Sequence, residues 1–159
     1  MTSLSRGTLT PLIEQYNRDF LGVKTVFVIM RFANVLVLNK LYQIISNELI
    51  ALGVRAVRAD ERIYSDQLWV NVQVHMLGAD AGIAVFDRPQ IGGSNSLSFN
   101  PNVSIEAGYM MGLDKPIMLL KDKYLENLPT DFGGSLYHSY DGENPDTASV
   151  LVRKWAEGL

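Results

Sequence analysis

The stretch FNPNVSIEAGYMMGLDKP, residues 99–116, carries one isolated carboxylate, Glu106, in a long uncharged run. No other charged side chain lies between Arg88 and Asp114. A glutamate that merely solvated a helix face would be expected among other charges. Its neighbours are instead Ile105, Ala107, Gly108, Met110 and Met111. A carboxylate desolvated by such neighbours needs a partner or a raised pKa, and groups of that kind concentrate at functional sites. The competing reading is a carboxylate near a helix terminus, favoured by the macrodipole by about 0.3–1 kcal/mol. Gly108 and Gly112 leave room for backbone or ligand to come close.

Other residues offer complementary chemistry. Asp60 and Asp87 end the runs VRAVRAD and AGIAVFD, and acids at strand ends suit ribose hydroxyls. Their alternative role is to cap loops and the helices that follow. Arg31 and Phe32 directly follow VKTVFVIM. Arg31 can pair with a phosphate or with Asp60, and Phe32 can stack on a base or fill the core. Tyr109 lies three residues after Glu106, on a neighbouring helix face, where core packing competes with a binding role. His75 and His138 have no acidic or imidazole company at ligand spacing, so no metal site is expected. No serine sits at a strand-to-helix elbow, and neither GxGxxG nor GxxxxGK[ST] is present, which removes the serine-hydrolase, dinucleotide-fingerprint and P-loop readings. A phosphoacceptor receiver would need an acidic pair after the first strand, where the chain reads Met30, Arg31, Phe32.

Elements that place these residues can be read from periodicity. Residues 1–8 read as a loose start and 9–21 as a short helix, with Thr10 as N-cap, Pro11 in its first turn and Gly22 as its stop. Residues 23–30 are a β-branched and aromatic run, apolar at nearly every position, a strand buried on both faces. Leu38, Leu41, Ile45, Leu49 and Leu52 recur at steps of three and four, an amphipathic helix ended by Gly53. Strands are predicted over 54–60, 81–87 and 115–121, and an edge strand over 135–141. Between them lie a helix capped by Ser65 or Asp66 and carrying Leu68, Val72 and Met76, and a helix with Asn100 as cap and Pro101 at its first position, running to about Gly112. Residues 88–101 read as a Gly/Ser/Asn-rich loop and 147–156 as a closing helix. Alternating strands and helices imply a parallel sheet covered on both faces. Ligands of such sheets bind beyond the carboxyl ends of the strands, which points to residues 30–34, 60–66, 87–102 and 121–134. Glu106 opens from that same edge.

Bulk properties narrow the function classes. A chain of 159 residues with net charge -3 and no cysteine fits one domain with a real core. It offers no basic patch for nucleic acid and no thiol or disulfide chemistry. The absence of cysteine fits a cytoplasmic protein. No secretory leader is expected, and no apolar run reaches the ~20 residues that span a bilayer.

The segments VFVIMRF, RAD, AGIAVFD, NPNVSIEAGYMMGLDKPIMLL and LPTDFGGSLYHSYD resemble the TIR-like and nucleoside 2-deoxyribosyltransferase-like superfamily over about residues 25–141. The specific part is Asn-Pro-Asn-Val followed by Glu-x-Gly-Tyr. The resemblance implies a flavodoxin-like α/β domain over 23–159, sheet order 2-1-3-4-5, after an N-terminal extension over 1–22. It implies Glu106 as the catalytic residue, attacking or stabilising the anomeric carbon of a nucleotide. The first expectation is cleavage of the nicotinamide–ribose bond of NAD, by hydrolysis or cyclisation, in bacterial antiphage defence. The alternatives are a nucleoside 2-deoxyribosyltransferase or nucleosidase, and a non-catalytic nucleotide-binding or assembly domain. Asp60 and Asp87 would position ribose, while Arg31 and the backbone around Asn100, Asn102 and Val103 would hold phosphate. A base that needs a proton to leave would call on Asp60, Asp87 or Asp131. The resemblance implies no prosthetic group, NAD or another nucleotide as substrate, a homo-oligomer, and a separate sensor or effector protein as trigger. The chain departs from the pattern in three places: Arg31 stands where proline is common, Asn100-Pro101-Asn102 replaces an Asp and Gly-Thr stretch, and the Trp-Cys segment of eukaryotic TIR domains is missing.

Overall fold

The computed structural model describes residues 6–88, 100–125 and 137–159. Among the described residues five strands, β1 (Lys24–Ile29), β2 (Val54–Val57), β3 (Ala81–Phe86), β4 (Ile117–Asp122) and β5 (Tyr137–Tyr140), form one sheet in the order β2-β1-β3-β4-β5. Every pairing is parallel. Five helices cover it: α1 (Arg6–Asp19), α2 (Leu36–Ala51), α3 (Leu68–Gly78), α4 (Pro101–Gly112) and α5 (Ala148–Ala156). This is the flavodoxin-like arrangement, with the switch point between β1 and β3. No helix among the described residues is long and apolar enough to cross a membrane.

The period-2 alternation of the strands sorts the core into two halves. Phe27, Ile29, Ala84, Phe86 and Leu119 face α1, α3 and α4. Val26, Val28, Met30, Ile83, Val85, Met118 and Leu120 face α2 and α5. This division decides which side chains at the strand ends can meet.

Several boundaries differ from the sequence reading, each for a local reason. The first helix begins at Arg6, so Thr10 and Pro11 lie inside it rather than at its start. Tyr16 anchors this helix, buried against the sheet with its hydroxyl donating to Thr25 Oγ1 at 3.0 Å. β2 ends at Val57, so Asp60 stands in the turn beyond the strand. Neither Ser65 nor Asp66 caps α3. Gln67 holds that position without a side-chain bond, and Ser65 Oγ instead accepts from the Gln67 amide at 3.2 Å. Leu68 and Leu52 are exposed rather than buried. The predicted cap of α4 is present: Asn100 Oδ1 accepts from the Asn102 amide at 3.0 Å, with Pro101 at the first position. Gly22 and Gly53 end their elements at φ +76° and +73°, a region that favours glycine. Residues 135 and 136 of the predicted edge strand, and nearly all of the predicted loop over 88–101, lie outside the described residues.

Gly78 sets the distance between α1 and α3. A Cβ there would stand 2.4 Å from Tyr16 Cδ1. Because Tyr16 is fixed by its own hydrogen bond, Gly78→Ala is expected to destabilise by about 1–3 kcal/mol and lower Tm by roughly 3–10 °C. Thermal unfolding checks this, and an unchanged Tm would mean that α1 shifts without cost.

Candidate functional site

Helix α4 projects from the sheet edge with Val103, Ala107 and Met110 buried against β3. The spacing of three and four places Asn102, Ile105, Glu106 and Tyr109 on the flank that faces α3. Across from them stand Leu68, Trp69 and Val72 of α3. Together with Phe32, just past β1, they enclose a cavity of ≈ 230 Å³ lined by Phe32, Leu68, Trp69, Val72, Asn102, Ile105 and Glu106. Tyr109 stays outside that lining. It is half-buried against the α1/α3/α4 core and meets Trp69 edge-on at 6.3 Å.

Glu106 is the one charged group among the described residues of this lining. No hydrogen bond or ion pair from a described side chain reaches its carboxylate, and burial alone pushes its pKa from 4.5 to about 7. A carboxylate kept near half-ionisation at neutral pH, beside aromatic walls and one amide, can meet a cationic carbon or form an ester with it.

The same shift has a stability consequence. Below about pH 4.5 the folded and unfolded chains both hold the Glu106 proton. As pH rises from 4.5 to about 7, the unfolded chain ionises first, so stability present at acid pH is lost through the folded pKa. Glu106→Gln escapes that loss. It is expected to be more stable than wild type at pH 8, by up to roughly 3 kcal/mol, and equal to it at pH 4. Paired denaturant titrations at the two pH values check the sign. Equal stabilities at pH 8 would contradict a desolvated carboxylate.

The other predicted site residues divide between neighbouring places. Phe32 is exposed and stands where three depressions meet: the Glu106 cavity, one of ≈ 420 Å³ with Asp60, Ile63, Asp66 and Asn71, and one of ≈ 390 Å³ with Asn34, Arg58, Asp60 and Glu61. Asp60 lines the latter two, and Arg58 grips it at 2.8 and 2.5 Å. Arg31 does not pair with Asp60. Its Nε donates to Asp87 Oδ2 at 2.5 Å. Asp87 continues the inward row of Ile83 and Val85, so it faces the α2 layer, on the opposite side of the sheet from α4. There it shares a cavity of ≈ 500 Å³ with Arg31, Arg88 and Asp122. Arg31 and Asp87 are therefore not assembled with Glu106 in one cavity. Asn100 spends its side-chain oxygen on the helix cap, and Asp131 lies outside the described residues. No group of metal-ligating side chains is assembled among the described residues.

Sequence reasoning missed Trp69, Leu68 and Ile105 as cavity walls and Asp122 as a strand-end acid. The strand-end rule that selected Asp60 and Asp87 applies equally to Asp122, which ends β4. Trp69 carried no comparable signal, because an aromatic in a helix reads as core.

No protein-family model matches the chain. No curated protein matches it. Among solved structures it is similar to a 2-deoxyribosyltransferase from the psychrotolerant bacterium Bacillus psychrosaccharolyticus, at 18% identity, covering 77% of this chain and 90% of that one, with a TM-score of 0.49. A likeness of that size assigns no role to any side chain here.

Proposed function

We propose that the protein cleaves or exchanges the N-glycosidic bond of a nucleoside, with Glu106 as the carboxylate that meets the anomeric carbon. The observation that carries this reading is Glu106, without a side-chain partner among the described residues and with its pKa raised by burial to about 7, in a cavity walled by Phe32 and Trp69. The aromatic side chains give a base something to stack on. Asn102 is at hand for a sugar hydroxyl. As the C1′–N bond breaks, its electron pair leaves with the base, and the positive charge growing on the sugar is met by Glu106 on the opposite face. Water or a second base then takes the sugar. Asp60 lines the depressions that share Phe32 and is the acid this reading assigns to protonate a leaving base.

A nucleoside fits better than a dinucleotide. Among the described residues no cation lines the cavity; Arg58, in the adjoining depression, holds Asp60, and Arg31 and Arg88 line the cavity on the opposite face of the sheet. A diphosphate would meet the Glu106 charge with nothing to offset it. NAD is the second reading, favoured by one observation: no second acid among the described residues lines the cavity, and nicotinamide leaves without needing a proton.

Five exposed apolar side chains, Phe32, Ile63, Leu68, Trp69 and Ile105, cluster around these depressions. Such a patch is costly to leave in water, and we read it as the surface a second copy of this chain covers.

Chromatography of products tests the substrate. The protein is incubated with a deoxynucleoside plus a free base and, separately, with NAD. Free or exchanged base with intact NAD is expected. Free nicotinamide with untouched nucleosides would move the assignment to the second reading. Because Glu106 acts ionised, kcat/KM is expected to rise tenfold per pH unit below about 7 and level off above it. A profile flat from pH 5 to 8 would exclude Glu106 as the titrating group.

A further inference from the structure

The cavity on the opposite face of the sheet has a composition that the reaction at Glu106 does not use. It lies at the carboxyl ends of β1, β3 and β4, with a volume of ≈ 500 Å³, a size typical of small-molecule sites. Asp87 and Asp122 line it, 5% and 3% exposed. Each is held by one guanidinium through Nε: Arg31 to Asp87 Oδ2 at 2.5 Å and Arg88 to Asp122 Oδ2 at 2.7 Å. Pairing through Nε alone leaves the fork of each arginine unfilled. Among the described residues, the terminal nitrogens of Arg31 have no hydrogen-bond partner, and Arg88 Nη2 reaches only the exposed Glu143, at 4.0 Å.

The acceptors are equally unbalanced. Both oxygens of Asp122 are engaged: Oδ2 accepts from Arg88, and Oδ1 accepts from the amides of Tyr124 at 3.0 Å and Gly142 at 3.3 Å. Its wall is built closely enough that a Cβ on Gly142 would stand 2.2 Å from the Asp122 carboxylate. Asp87 Oδ1, in contrast, is buried and finds no partner beyond its own residue among those described. A buried carboxylate oxygen left bare is costly, because it has given up water and gained nothing in return. A hydroxyl donated by a ligand would satisfy it. Unfilled guanidinium donors beside a bare acceptor call for one anionic group and one hydroxyl on the same small molecule. Two guanidinium groups stand against Asp87, Asp122 and Glu143, so of the phosphate ligands a single monoester, which brings the least added negative charge, fits better than a diphosphate or triphosphate.

We propose that this cavity is a second ligand site, separate from the Glu106 cavity, that takes a hydroxylated phosphate monoester of the pentose phosphate kind. The phosphate would fill the forks of Arg31 and Arg88, and a sugar hydroxyl would donate to Asp87 Oδ1. Val37 lines the mouth without joining either ion pair.

Titration calorimetry with ribose 5-phosphate, ribose and inorganic phosphate as probes tests this, on wild type, Arg31→Lys, Val37→Trp and Glu106→Gln, each first shown to unfold cooperatively. Ribose 5-phosphate is expected to bind wild type at least about tenfold tighter than either fragment. Arg31→Lys keeps the charge opposite Asp87 but loses the fork, so binding should weaken on the order of tenfold or more. Val37→Trp fills the cavity and should abolish binding, and Glu106→Gln should bind as wild type does. If Arg31→Lys does not fold, Val37→Trp carries the test. The proposal is overturned if wild type does not bind ribose 5-phosphate, if binding survives the folded cavity variants unchanged, or if it is lost in Glu106→Gln, which would place the ligand in the other cavity. Since the readout is binding, its failure is distinct from a failure of turnover at Glu106.

Discussion

Replacing Glu106 by glutamine is expected to lower turnover by a factor on the order of a thousand or more in a protein that folds like wild type. The size of the effect follows from what the carboxylate does. A neutral amide of the same shape can neither offset charge on the sugar nor form an ester with C1′. In this cavity nothing else can substitute, because the remaining described lining is apolar apart from the amide of Asn102. The expected pairing of outcomes is unusual: activity falls while stability at pH 8 rises, since the glutamine removes an ionised group that burial disfavours. A mutation that merely damaged the structure would lower both. Steady-state kinetics beside denaturant unfolding of the same preparations separates the two. Loss of activity together with loss of stability would argue for a structural role.

Asn71→Leu is expected to carry the largest stability cost of any single change near the site. Asn71 is 2% exposed. Its Oδ1 accepts from the Tyr64 amide at 2.7 Å, and its Nδ2 donates to the Ala59 carbonyl at 2.7 Å. One side chain thus ties both ends of the segment between β2 and α3 that presents Asp60 and Ile63. Leucine matches the volume but abandons a buried donor and a buried acceptor, at about 1–3 kcal/mol each. The sum, roughly 2–6 kcal/mol, corresponds to a fall in Tm on the order of 10 °C. Thermal unfolding measures it, and a shift below about 2 °C would mean that the segment finds other partners.

Most of the scaffold was legible because one signal dominated each element. Nearly continuous apolar runs mark β1 and β3, the three-and-four spacing of Leu38, Leu41, Ile45 and Leu49 marks α2, and the pair Asn100-Pro101 marks the start of α4. With α4 fixed, Glu106 had to emerge at the carboxyl edge of the sheet. What the sequence leaves open is the side on which strand-end residues sit. Asp87 and Glu106 both lie at that edge. Yet Ile83, Val85 and Asp87 share a parity, and that parity points to α2 rather than α4. The alternation was available in the sequence, but which helix covers which face depends on crossovers that no local pattern encodes. The pairing of Arg31 was lost for the same reason: Asp60 and Asp87 were equally plausible partners until β3 was seen beside β1. The start of α1 is hidden in the sequence because Pro11, a favoured first-turn residue, is carried inside a helix anchored by Tyr16.

The central claim is that Glu106 breaks an N-glycosidic bond. Free base released at pH 8 from purine and pyrimidine deoxynucleosides, compared between wild type and Glu106→Gln, tests it most directly. The account predicts release by wild type and residual release on the order of a thousandth of that or less by the folded variant. Release by Glu106→Gln at the wild-type rate would contradict it, as would a folded wild type that liberates no base from any nucleoside and no nicotinamide from NAD.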